Sequence, residues 1–370
     1  VKTVRSIIKA EDGITIVELV VASAVTLIVV GAALSMLIMT DKATIATSQV
    51  SDTQQNVRLA MELLAQDLRL ASYNYVANGP GTPTVGGCAV TNGAISLPVG
   101  IRPLDQNIAA PGADTGPDSV SMVVPVLTNV VTPWVLSANV GGTGPDPVPF
   151  NQLPMTAASI TDMQTNGLAV GSVVSIGGAG ARAVTSVGAA AITIGPAGVN
   201  FEGKFPAGTA VYLLQCVTYA ISTNPAVCGT GSGTCLTRNG IAFVDGIEDI
   251  QFSYACDGCS TAGGNPLSPD GVIDEIDGVA GRSKNDFVSN SAWNLIPMTP
   301  DKIKQVSVNV VARQLRSDGG FGEKNTPGVN TTGPVIVGDH NPSADPGYNA
   351  TTYAQQRRRV LTRIIQPRNM

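Results

Sequence analysis

A chain of 370 residues with 13% charged residues has about half the charge of an ordinary soluble domain, and it also carries 41 Gly and 24 Pro. Its 44% hydrophobic content and formal net charge of −5 argue against wholesale disorder and give no electrostatic footprint for nucleic acid. A single histidine leaves little room for His-based catalysis or a His-rich metal site. The composition is uneven. Residues 1–75 contain no Pro and no Cys, only Gly13 and Gly31, and no aromatic before Tyr73. Pro and Gly interrupt helices and make turns, so their absence predicts a long helix and their later abundance a strand-and-turn domain.

Residues 1–13 are short and polar, with Lys2, Arg5 and Lys9. Ile14 to Met39 follows, a run whose only charge is Glu18. As a helix it would measure roughly 39 Å, enough to cross the apolar core of a bilayer. The three basic residues precede the span, whereas Asp41 and Lys42 nearly cancel after it. Positive-inside logic therefore predicts a cytoplasmic N-terminus and places residues 40–370 outside. The run is longer than the apolar stretch of a secretory signal, and no clear small-residue cleavage site follows it. Glu18 is the anomaly, because a carboxylate costs about 2.5–3.5 kcal/mol at the centre of a span and less near an end. Two readings stand: it stays protonated or snorkels, or it meets a defined cation on a neighbouring helix.

The helix is predicted to continue. Val57, Ala60, Met61, Leu64, Leu68 and Ala71 fall on one apolar stripe, while Arg58, Glu62, Gln66 and Arg69 lie largely off it. This is the pattern of a half-exposed helix packed on a sheet, with Arg58 and Glu62 as an i, i+4 pair. From Ile14 to Tyr73 one helix would measure roughly 90 Å. That is too long for one globular domain to cover and fits an assembly of parallel helices.

The breaker cluster Asn78-Gly79-Pro80 opens the β-rich part. Predicted strands are Ser119–Thr128, Gly171–Ile176, Ala183–Val187, Ala191–Ile194, Ala210–Leu214, Val217–Ile221, Ile247–Tyr254, Ile303–Leu315 and Arg359–Ile365. Gly167–Leu214 could form a small barrel or sandwich inserted in the main sheet. Six cysteines all lie on the predicted outside, which favours disulfides, although six allow fifteen connectivities. Short loops suit Cys228–Cys235 and Cys256–Cys259, leaving Cys88–Cys216. A zinc or redox role for Cys256-Asp257-Gly258-Cys259 competes, without a second CxxC or a thioredoxin-like context to support it. The acidic loop 270–278 supplies weak calcium candidates in Asp270, Asp274 and Asp277, but its spacing departs from an EF-hand. Gly229-Thr230-Gly231-Ser232-Gly233 lacks the Lys-Ser/Thr of a phosphate loop and reads as a flexible disulfide loop. His340 reads as a surface residue and Arg357-Arg358-Arg359 as a solvated face. No nucleophile, base and orienter can be assembled, so neither an enzyme nor a cofactor is expected.

Gly13-Ile14-Thr15-Ile16-Val17-Glu18-Leu19, followed by Val20-Val21-Ala22, resembles the class III signal of type IV prepilins and type II secretion pseudopilins. The resemblance implies cleavage between Gly13 and Ile14 by a prepilin peptidase, with N-methylation of the new terminus. It also implies that Glu18, fifth in the mature chain, pairs with the α-amine of an adjacent subunit. Ile14 stands where the family usually has Phe. Gln55-Asn56-Val57-Arg58-Leu59-Ala60 and Leu64 to Tyr73 resemble PilW-type minor pilins, with Ser72 in place of a usual Gly. Similar likenesses occur at Val244 to Tyr254, Ile303 to Arg313 and Arg363 to Asn369. The likeness covers about residues 1–75 and 240–370.

The resulting expectation is an α+β, pilin-like fold. It comprises a leader (1–13), an N-terminal helix (14–75, with 14–39 transmembrane and 40–75 amphipathic) and a β-rich extracytoplasmic head (76–370) with an additional β-rich insertion. The implied function is that of a minor pilin of a type IV pilus or its initiating tip complex. Its implied partners are other pilins through the helix, the peptidase, and the inner membrane before assembly at the cell surface. Alternatives are a type II secretion pseudopilin and a membrane-anchored extracytoplasmic binding protein or enzyme.

Overall fold

The structure, a computed structural model, describes residues 15–73, 75, 83–92, 95–104, 115–126, 133–142, 148, 150–178, 180–195, 203–230, 233–262, 265–266, 268–276, 286–289, 293–294, 296–315 and 334–367. The proposed cut between Gly13 and Ile14 lies outside these residues, as does Asp277. The first element is one uninterrupted helix, α1 (Ile16–Leu70, 55 residues). The chain divides into two compact units, one ending at Ser51 and the other beginning at Asp52.

In the second unit, α1 continues and is followed by β1 (Ala89–Asn92), β2 (Ile95–Pro98), β3 (Ile101–Leu104), β4 (Ser119–Pro125), β5 (Gln152–Pro154) and α2 (Ala157–Thr165). Next come β6 (Val173–Ile176), β7 (Ala181–Val187), β8 (Ala191–Gly195), β9 (Val211–Ser222), α3 (Pro225–Cys228), β10 (Cys235–Arg238), β11 (Ile241–Asp245) and β12 (Ile247–Cys256). The chain closes with β13 (Thr261–Ala262), β14 (Asn265–Pro266), β15 (Ile303–Arg313), α4 (Ala350–Ala354) and β16 (Arg358–Ile365). The architecture is α+β, a long N-terminal helix with antiparallel sheets.

The apolar stripe read from the sequence is the buried face of α1. Val57, Ala60, Met61, Leu64, Leu68 and Ala71 all enter one core with Ile250, Phe252 and Tyr254 of β12. Alternate residues of β15, Val306, Val308 and Val310, complete it, while Ser307 and Asn309 face away. The sheet beneath runs β12-β15-β16, antiparallel throughout. Just past the helix, Ser72 takes φ 60°, the left-handed region that favours glycine. The backbone at Gly100 comes so close that an added Cβ there would sit 1.6 Å from the Ser72 hydroxyl.

The larger sheet corrects the sequence reading in two ways. Ala210–Leu214 and Val217–Ile221 were expected as separate strands but form the single β9. Gln215 and Cys216 break the apolar run without breaking the extended backbone, because β4 pairs across both. Gly167–Leu214, read above as a small barrel or sandwich inserted in the main sheet, is instead an extension of this sheet, ordered β11-β10-β9-β6-β7-β8-β5. One end of β9 pairs β6 and the other pairs β10. The extension has its own core, in which Ile160 and Met163 of α2 meet Val174, Ile192 and Leu213. α2 itself was missed. It starts at Thr156, whose hydroxyl accepts the Ser159 N–H at 3.2 Å as an N-cap.

Candidate functional site

Within the first unit, the residues of α1 make a lipid-compatible surface by themselves. Leu27 and Ile28 are each 72% exposed, and the most apolar window of the helix has a mean hydropathy of 2.4 with none of it buried. Hydroxyl groups on this stretch are satisfied inside the helix. Ser23 donates to the Val20 carbonyl, Thr26 to Ala22, and Ser35 to Gly31, at 2.7–2.9 Å. No polar side chain of this kind then needs water, which is what a bilayer interior demands. By length and composition α1 is a candidate membrane anchor.

Glu18 sits in the first turn, and its N–H donates to the Thr15 hydroxyl at 3.2 Å. Thr15 and Glu18 thus have the spacing of a capping box, and a carboxylate there suits the positive end of the helix dipole. Among the described residues Glu18 makes no ion pair within its own chain.

In the second unit, the buried Asp67 ties the helix to β9 and β10. The Asp67 carboxylate accepts from Tyr219 Oη at 2.7 Å and from Arg238 Nε at 2.9 Å. Burial pushes the Tyr219 hydroxyl pKa up, and the Asp67 charge adds to this. Burial works against the Arg238 charge, but Asp67 outweighs it and raises the pKa. Asp67 falls among the polar residues of an amphipathic helix in the sequence, so only its distant partners reveal its role.

All six cysteines pair as the loop lengths suggested. The bridges are Cys88–Cys216, Cys228–Cys235 and Cys256–Cys259, with Cα separations of 5.6, 5.5 and 5.9 Å. The last leaves no thiolate for zinc. Of the calcium candidates, Asp274 is turned to the backbone, accepting N–H groups of Gly258, Cys259 and Ser260 at 2.7–3.1 Å. Burial alone would raise its pKa, but these donors outweigh burial and hold it low. Asp257 reciprocates by accepting from Asp270 and Gly271. The acidic loop and the CxxC loop therefore clamp each other. Among the described residues no three His, Cys, Asp or Glu side chains converge as metal ligands.

The largest departure from expectation is at the C-terminal segment. His340 is not on the surface but 3% exposed, bridging Asp249 of β12 through Nδ1 at 2.8 Å and Asp345 through Nε2 at 2.9 Å. With a carboxylate at each nitrogen, both must carry hydrogen, so the ring is an imidazolium. Burial lowers its pKa, but the two carboxylates outweigh that and raise it to about 9. The ring has no lone pair left for a substrate proton. Arg358 is likewise no solvated arginine. Its guanidinium forms two bonds to Glu248, at 2.5 and 2.9 Å, and lies 3.3 Å from the Tyr353 ring centroid. Arg359 is exposed, as the sequence suggested. These pairs wall a cavity of about 360 Å³ together with Tyr348, Asn349 and Thr352.

A pH prediction follows from His340. A folded pKa raised from 6.5 gives stability that is complete below pH 6.5 and is lost as the pH rises through about 9. After discounting for solvent screening at the cavity wall, the contribution is on the order of 2 kcal/mol. The melting temperature should fall by several degrees between pH 7 and 10, and this slope should flatten in His340→Gln. Equal slopes in the two proteins would contradict the imidazolium clip.

No protein family, no curated protein and no solved structure matches the chain. The helix, the bridges and the cavity therefore carry the functional reading on their own physical chemistry.

Proposed function

We propose that the protein is a minor pilin of the PilW type, a structural subunit that enters a type IV pilus or its initiating tip complex. The observation that carries this reading is α1. It is an uninterrupted helix whose first part exposes apolar side chains and self-satisfied hydroxyls, with Glu18 in its first turn. Its later part buries one stripe against an antiparallel sheet. In a helix that only anchored a head, Glu18 would serve as no more than a cap at the helix start. In a helix that bundles with copies in a filament it has a further use, since a neighbour's α-amine neutralises Glu18 and sets the register.

On this reading the cytoplasmic leader ends at Gly13, prepilin peptidase releases Ile14 as the new N-terminus, and the subunit waits in the inner membrane with its head outside. Three disulfides suit such an oxidising location. The subunit then leaves the membrane by helix–helix packing and becomes part of the surface filament, with no catalytic role.

The test is mass spectrometry of the mature N-terminus in cells with and without prepilin peptidase. The expected result is a chain starting at Ile14 only when the peptidase is present. A chain uncut between Gly13 and Ile14 in both strains would instead favour a permanently anchored binding protein or enzyme. A secretion defect with intact piliation in a deletion strain would favour a secretion pseudopilin.

A further inference from the structure

The cavity beside His340 has a composition that selects its occupant. We propose that it binds a neutral, polyhydroxylated ligand, a saccharide of one or two rings. Its volume of about 360 Å³ lies at the small end of ligand sites, which run from about 300 to 1,000 Å³.

Charge narrows the choice first. Three cations and three carboxylates line the cavity, and each is already matched. Arg358 is held by Glu248, Arg313 lies 3.6 Å from the same carboxylate, and His340 joins Asp249 to Asp345. An anionic or cationic ligand would have to break one of these largely buried pairs and strand the displaced partner, which is strongly unfavourable. A neutral ligand leaves them intact.

Uncharged polar groups on the wall are left over. Among the described residues Tyr348 Oη, Thr352 Oγ1 and the amide nitrogen of Asn349, whose oxygen caps α4, make no hydrogen bond, and Asn349 and Thr352 are exposed. Among the described residues the Gln356 amide nitrogen is equally unspent, since only its oxygen is used, by Arg313. A wholly apolar ligand would desolvate these groups without replacing their partners. Hydroxyl groups that both donate and accept match them.

The remaining wall is carbon-rich. Tyr348 packs against Tyr353 with ring centroids 5.4 Å apart, and Arg358 already covers one face of Tyr353. Pro342 and Pro346 also line the space. A pyranose has both kinds of surface, an apolar C–H face for the ring of Tyr348 and a hydroxyl rim for the amides. This inference does not depend on the pilin reading, because the cavity lies wholly in the second unit.

The experiment uses the full chain in zwitterionic micelles, since glycoside detergents would compete. Saturation-transfer NMR and titration calorimetry would scan galactose, N-acetylglucosamine and lactose beside the charged sugars glucuronic acid and glucosamine. At least one neutral sugar should bind, and more tightly than either charged sugar. Tyr348→Ala should weaken it by about tenfold or more, while Tyr348→Phe, which keeps the ring and loses the hydroxyl, should weaken it less. Circular dichroism and an unchanged melting temperature would show that the variants fold. If Tyr348→Ala unfolds, the Phe variant and Thr352→Val carry the test. The proposal is overturned by no binding of any neutral sugar, by preference for a charged sugar, or by binding indifferent to all three substitutions.

Discussion

On the pilin reading proposed above, sheared filaments from cells producing Glu18→Ala are expected to contain about a hundredfold less of the protein than wild type, with its level in the membrane and its N-terminal processing unchanged. The size follows from what the substitution strands. In a bundle of apolar helices the partner amine is left without its counter-ion, a loss of about 3 kcal/mol for an unpaired charge in such surroundings. At about 1.4 kcal/mol per tenfold, that amounts to roughly two orders of magnitude in association. A second substitution separates this role from the local one seen in the helix, where the Glu18 N–H donates to the Thr15 hydroxyl. A capping box accepts Gln as well as Glu at this position. Glu18→Gln should therefore preserve the helix start yet fail in assembly as badly as Ala. Wild-type incorporation of the Gln variant would reduce Glu18 to a capping residue and remove the main support for the register mechanism.

The joint substitution Cys88→Ala/Cys216→Ala should cost about 5 kcal/mol of stability, measured by denaturant unfolding with tryptophan fluorescence. Chain-entropy reasoning gives that figure for a bridge joining residues 128 apart, against about 2 kcal/mol for Cys256–Cys259, only 3 apart. Since domains are commonly stable by about 5–15 kcal/mol, the long bridge is worth a large share of the total. Cys88 is buried in a small core that includes Tyr75, Val123 and Leu214, and the half-buried Cys216 packs against it. Substituting both residues avoids leaving a lone thiol. A loss below about 1 kcal/mol, or one no larger than that of the Cys256/Cys259 pair, would show that the intervening chain is already constrained without the bridge.

Legibility in the sequence followed the range of the interaction. The stripe from Val57 to Ala71 could be read because a helix repeats its neighbours every three or four residues, and the structure buries that face. The alternation of Val306, Val308 and Val310 was equally local. The short disulfides could be read from loop length. By contrast, Asp249 and His340 are far apart in sequence, and the Gly, Pro, Asn and Asp around His340 imitate an exposed loop. Arg358 was hidden in a run of three arginines, of which the strand pleat and Glu248 single out one. Asp67 looked like any acidic residue on a helix until Tyr219 and Arg238 reached it. Short elements failed for a related reason: α2 has 9 residues, too few for a periodic signal in a Gly- and Pro-rich region.

The continuity of β9 has a consequence for how the head comes apart. One of its ends belongs to the core beneath α1, through Val217 and Tyr219, and the other to the core of the extension, through Val211 and Leu213. Peeling either core open strips the strand on which the other is laid, so the two melt as one cooperative block. The extension is thus no freely detachable module, and a variant that removed β9 with it would lose the backbone partner that aligns β10 and β4 as well.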